Sequence, residues 1–145
     1  MLPIHPRKEI MEFFARRDEA WQRHDCAALA ADHTEEGEVD SPVWGKVKGR
    51  SAIENIYMQW FISFPDAKYV TEHLLIDGEK AVQFIKMAGT QKGDFCGLPP
   101  TGKRFEMRCA FLFFFAEDRI AQEIRIYDFT GILLQLGALK AKPAF

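Results

Sequence analysis

The chain has 145 residues, enough for one ordinary domain with a continuous core and too few for two. Its formal net charge is −2, with acidic and basic residues interspersed, which argues against a surface built for nucleic acid or anionic lipid. Three widely spaced cysteines, Cys26, Cys96 and Cys109, form no C-x-x-C pair and fit reduced thiols better than a disulfide framework or a zinc site.

The start, MLPIHPRKEI, lacks the apolar segment and cleavage site of a signal peptide, and no apolar run approaches bilayer length, so a soluble cytoplasmic protein without a membrane partner is expected. From Glu9 to Trp21, Ile10, Phe13, Phe14 and Trp21 recur at helical spacing, with Pro6 suited to the first turn. Asp25 offers a side-chain acceptor ahead of CAALAA, predicting a short second helix that closes near His33. Residues 34–50 read as a polar loop with one short strand around Val39. Ser51 and Glu54 form an S-x-x-E capping box, followed by Ile53, Ile56, Tyr57, Trp60, Phe61 and Phe64 on one helical face; Pro65 ends that helix.

Beyond Asp66 the period changes. YVTEHLLI and AVQFIKMAGT flank Asp77-Gly78 and predict a hairpin. RFEMRCAFLFFF predicts a long strand, and EDR leads into an antiparallel partner, IAQEIRIYD. TGILLQLG closes the chain as a short helix that Gly137 would end. Three helices followed by long antiparallel strands form an α+β single domain over 1–145, with the helices covering one face of a curved sheet.

GLPPTGKRFE, residues 97–106, carries the G-x-x-x-x-G-K spacing of a phosphate cradle. The context fails it. Pro99 and Pro100 have no N–H to aim at an anion, Arg104 stands where Ser or Thr is needed, and a strand follows instead of a helix. A rigid connection explains the same residues, the prolines fixing φ and Gly97 and Gly102 taking conformations that other residues resist.

GTQKGDFCGLPPTGKRFEMR and IAQEIRIYDFTGILLQLG, with HTEEGEVDSPVWGKVKGRSAI and FPD upstream, resemble the SnoaL-like polyketide cyclase and ester cyclase family. The resemblance implies the nuclear transport factor 2-like cone: a strongly curved mixed β-sheet wrapped against three N-terminal helices, with a deep apolar pocket, usually in a homodimer. It also implies a cofactor-independent aldol or proton-transfer reaction on a small, apolar or polyketide-like carbonyl compound. A non-catalytic binding protein with the same pocket is the alternative, since one fold hosts many functions.

Asp128 is the leading catalytic candidate. Along 120–128, Ile120, Ile124 and Ile126 share a face with Asp128, while Glu123 and Arg125 share the other with Tyr127. A carboxylate ending an apolar inner face would have its pKa raised by desolvation, as an acid/base group needs. Asp128 also precedes a helical segment and can cap it, which predicts the opposite shift. The resemblance places the family's acid/base aspartate at this position. Where family members often carry histidine in GTQKG, this chain has Gln91, which can orient a carbonyl but cannot shuttle a proton.

Arg108 is either a pocket residue that polarises an oxygen or half of an exposed ion pair. His33 is a pocket histidine or a helix-end residue, and Tyr57 and Trp60 pack in the core or, for Trp60, stack on a planar ligand. His5, His24 and His73 show no metal-ligand spacing, so no metal is expected.

Overall fold

The computed structural model describes residues 7–141; Pro6 and His5 lie outside them. Helix α1 spans Arg7–Gln22 and buries Ile10, Phe13, Phe14, Ala20 and Trp21, with Arg17 among them. Helix α2, Cys26–Ala31, begins where the Asp25 carboxylate accepts from Ala28 N at 3.0 Å, the expected cap. It stops two residues short of His33. His33 instead opens β1, His33–Ser41, which pairs with β2, Gly45–Lys48, so most of the stretch read as loop is sheet.

Helix α3, Arg50–Ser63, departs from its sequence signature at one end. Gly49 is the N-cap and no side chain caps the helix, so Ser51 lies within the first turn and the S-x-x-E box does not form. Strands β3, Lys68–Asp77, and β4, Lys80–Thr90, make the predicted hairpin across Asp77-Gly78. Strands β5, Arg104–Ala116, and β6, Arg119–Ile126, make the second, and α4, Phe129–Gln135, follows.

The six strands form one sheet in the order β2-β1-β6-β5-β4-β3. Only β1 and β6 run parallel, which makes the sheet mixed. Register shifts interrupt the β3–β4, β1–β6 and β5–β6 ladders, and such bulges bend a sheet. The curved sheet and the first three helices are the expected cone. No helix among the described residues is long and apolar enough to cross a membrane.

The space between helices and sheet is packed ring to ring. Phe13 and Phe14 of α1 meet Phe113 and Phe115 of β5 edge-on at 5.0–6.0 Å between centroids. Trp60, Phe64, Phe95 and Phe105 form a second cluster, and Trp21 stacks on Tyr69 at 4.5 Å. Each fully buried ring of this kind contributes about 1.5–3 kcal/mol.

Candidate functional site

The bulge between β5 and β6 decides which side chains face the interior. Phe114 pairs with Gln122 and Phe115 with Ile120, which leaves Ala121 unopposed. A one-residue slip inverts every later side chain. Ile120 is therefore buried, yet Glu123, Arg125 and Tyr127 follow it inward, while Ile126 stands 64% exposed on the outer face.

Asp128 goes outward with Ile126. Its carboxylate is exposed and accepts from Gly131 N at 2.8 Å, capping α4. The expectation of an inward carboxylate in apolar surroundings is thus corrected, because parity counted without the bulge assigns the wrong face.

Three further sequence candidates also lie away from a substrate position; for Arg108 and Trp60 this matches the exposed ion pair and the core packing that their sequence also allowed. Arg108 lies exposed on the outer face, where Nε donates to Glu72 of β3 at 3.0 Å; even-numbered positions of β5 point away from the helices. Gln91 is fully buried but turned into the loop that joins β4 to β5. Its Nε2 donates to Gly93, Leu98 and Pro99 carbonyls at 3.1–3.2 Å, and its Oε1 accepts from Thr101 N and Oγ1. It pins a loop and has no donor left for a substrate. Gly97 and Gly102 take φ of +80° and +71° in that loop, and β5 follows it, so the rigid connection stands in place of a phosphate cradle. Trp60 is core, edge-on to Trp44 at 5.4 Å and to Tyr127 at 6.0 Å.

His33 and Tyr57 do converge, around charges. Arg17 crosses from α1 to donate to Glu123 Oε1 at 3.2 Å, Asp32 Oδ2 at 3.3 Å and the Tyr57 hydroxyl. His33 Nε2 faces Glu123 Oε1 at 3.1 Å and its Nδ1 faces the Leu29 carbonyl at 3.1 Å, while Arg125 Nε donates to Glu123 Oε2. Burial alone would raise the Glu123 carboxyl. Arg125, the His33 hydrogen bond and Arg17 overcome that and hold it well below the carboxylate range. Burial likewise opposes the charge on both guanidiniums, and chiefly Tyr57 and Glu123 for Arg17, and Glu123 for Arg125, raise them above their ordinary values.

Toward the end of β6 the pairing runs out. The Arg125 guanidinium lies 5.0 Å from the centroids of both Tyr57 and Phe111, in cation–π contact with each ring. Its Nη2 is buried with no hydrogen-bond acceptor among the described residues. Tyr127 Oη makes no well-formed hydrogen bond, though the Ser41 hydroxyl and the Val43 backbone of the β1–β2 turn lie within its reach. Burial pushes the phenol up to about 12, with Arg125 partly offsetting it, so it stays a donor at neutral pH. Cys109, buried on β5 near Arg125, is pushed up to about 12 by burial and is no thiolate. The turn at 42–44 carries Trp44, half-buried, whose backbone N–H donates to Ser41 Oγ at 3.3 Å.

Arg17, Glu123, Arg125 and Tyr127 were not among the sequence candidates. Arg17 left a signal, since it interrupts the stripe Ile10, Phe14, Trp21 on α1 with a charge. Among the described residues, no group of three or more His, Cys, Asp or Glu residues is placed to hold a metal ion.

A bent mixed sheet closed by helices, with its inward polar row on β6, is the nuclear transport factor 2-like architecture. The model of the SnoaL-like polyketide cyclase family matches residues 12–136, and the chain belongs to that family. TsrD from Streptomyces laurentii superimposes with a TM-score of 0.82 at 24% identity, over 93% of this chain and 99% of that one. A protein from Jannaschia sp. CCS1 described as a SnoaL-like polyketide cyclase gives 0.80 at 19% identity, over 97% and 98%. A nuclear transport factor 2-like protein from Burkholderia thailandensis E264 gives 0.72 at 20%, over 89% and 95%. Among curated proteins, none matches this sequence.

Proposed function

We propose that the protein is a cofactor-independent, cyclase-type enzyme that takes a small, mostly apolar carbonyl compound against the inward end of β6. Family membership supports the reaction type. The observation that carries the site is the buried Arg125 Nη2, which has no hydrogen-bond partner among the described residues, beside the buried Tyr127 hydroxyl, which has only the Ser41 hydroxyl and the Val43 backbone within reach. Buried donors are almost always paired, so the unpartnered Arg125 edge beside the Tyr127 hydroxyl suits an oxygen supplied by a ligand.

Donors fixed in a dry site stabilise charge as it develops on a carbonyl oxygen. Loss of a proton from a carbon flanked by two carbonyls moves that charge onto oxygen, where Arg125 and Tyr127 would meet it. The proton would pass to a base from solvent, such as hydroxide or a buffer anion, since both Glu123 oxygens are engaged. The enolate carbon then attacks a second carbonyl carbon of the same molecule, and the resulting alkoxide takes a proton back, so the closure is an isomerisation with no net redox change. The aromatic wall of Trp44 and Trp60 would hold the chain folded so that its ends meet. Asp128 enters this proposal as a helix cap.

Glu123 has both oxygens engaged by Arg17, His33 and Arg125, leaving no free inward carboxylate base at this wall, and that favours the second reading, a non-catalytic binder using the same donors. A homodimer is part of the proposal. Leu75, Val82, Leu112 and Ile124 align across β3, β4, β5 and β6 on the outer face, and Phe84, Ala110 and Ile126 align beside them, an apolar band suited to a second copy.

The test is deuterium exchange at C2 of ethyl acetoacetate, followed by NMR. Exchange above the buffer rate that falls to it in Tyr127→Phe supports the enzyme. Exchange at the buffer rate with the unmodified protein and Tyr127→Phe alike removes it.

A further inference from the structure

We infer that the occupant of this site is bound as an oxyanion, an enolate, acidic phenolate or carboxylate, and that Arg125 selects for the charge. The inference rests on the site assigned above and goes beyond it by naming the ionic class of the ligand.

Two fully buried guanidiniums, Arg17 and Arg125, share one fully buried carboxylate, Glu123. Arg17 has a second carboxylate in Asp32, whose side chain is 29% exposed and reaches toward water. Arg125 has none. Its Nε is spent on Glu123, its faces are covered by Tyr57 and Phe111, and its Nη2 points where the protein provides no acceptor. Burial of a guanidinium edge without a partner is costly, and a neutral carbonyl would repay less of that cost than an anion, because hydrogen bonds to ionised groups are the stronger ones.

The surroundings point the same way. The remaining titratable groups around Arg125 are Tyr57 from α3, Cys109 from β5 and Tyr127 from β6; burial raises all three pKa values, so they remain neutral at pH 7. Glu123, the one carboxylate at this wall among the described residues, has Oε1 taken by Arg17 and His33 and Oε2 by Arg125 Nε. An entering anion would thus meet one unshared cationic edge and the Tyr127 hydroxyl, with Cys109 beside Arg125 and Trp60 beside Tyr127. Access lies at the turn 42–44, since Val43 borders the Tyr127 hydroxyl and Trp44 covers Trp60.

The experiment compares 4-nitrophenolate with 4-nitroanisole, matched in ring and nitro group but differing in charge, by quenching of tryptophan fluorescence with the full chain. At least about tenfold tighter binding of the phenolate is expected, the size of one charge-assisted hydrogen bond. Arg125→Met should remove the preference, weakening 4-nitrophenolate by at least about tenfold more than 4-nitroanisole. If that variant does not fold, Glu123→Gln/Arg125→Met removes both charges together, and the pKa of the bound 4-nitrophenol in the unmodified protein, read by absorbance, should fall below its free value. Equal affinity for the two probes, or a preference kept in Arg125→Met, overturns charge selection while the site reading survives. Failure of both probes to bind overturns the site as well.

Discussion

Glu123→Gln isolates the interaction on which the interior depends. The carboxylate takes Arg17 Nη2 at 3.2 Å, His33 Nε2 at 3.1 Å and Arg125 Nε, all with side chains essentially out of water. At an effective dielectric of about 20, one ion pair at that separation is worth roughly 5 kcal/mol gross, and two give roughly 10. Desolvation of the carboxylate returns several kcal/mol of this. Removing one partner of such a pair leaves the others buried and uncompensated, and the expected loss is about 3–5 kcal/mol, against a total stability of about 5–15 kcal/mol. Urea denaturation at pH 7 should show a lower midpoint with an unchanged slope.

A pH series sharpens this test. The Glu123 pKa is lower in the folded protein than its ordinary value of 4.5, so its contribution is fully present above that pH and is lost as pH falls through the folded value. Glutamine does not titrate, so the gap between the two proteins should narrow below about pH 4.5. A loss under about 1 kcal/mol at pH 7, or a gap that widens in acid, would refute the reasoning.

Replacing Asp128 by Ala should cost about 1 kcal/mol through the lost cap, and by Asn little, with the acetoacetate exchange rate unchanged in both. Full loss of exchange in Asp128→Asn would return the acid/base role to that residue. Gln91→Leu leaves the Gly93, Leu98 and Pro99 carbonyls and Thr101 N–H without their side-chain partner, so a loss of about 1–3 kcal/mol is expected. Faster amide exchange confined to residues 91–103 would mark its structural role, and unchanged exchange there would contradict it.

How much of this was legible in the sequence differs by element. The hairpin around Asp77-Gly78 and the long strand 104–116 follow from local signals, turn chemistry and alternation, and both formed as expected. Strand β1 announced itself only in part, as a short strand around Val39, because HTEEGEVDS is charged on its partly exposed positions and gains its place by parallel pairing with β6, some eighty residues away. The capping box failed because the N-cap falls at Gly49, two residues earlier than the Ser51 signature requires.

The site was misread through one residue. Ala121 is an unremarkable alanine in the sequence, and only pairing with β5 turns it into a bulge that sends Glu123, Arg125 and Tyr127 inward and Asp128 out. Arg17 was readable as a charge on an apolar stripe, but nothing local says that its partner lies 106 residues away.

The most direct measurement is a crystal structure with 4-nitrophenolate bound. The account predicts the phenolate oxygen at about 2.7–3.1 Å from Arg125 Nη2, with the ring against Trp60 and the turn at 42–44 displaced. A probe bound at Asp128 or on the outer face, with the Arg125 edge still without an acceptor, would contradict it.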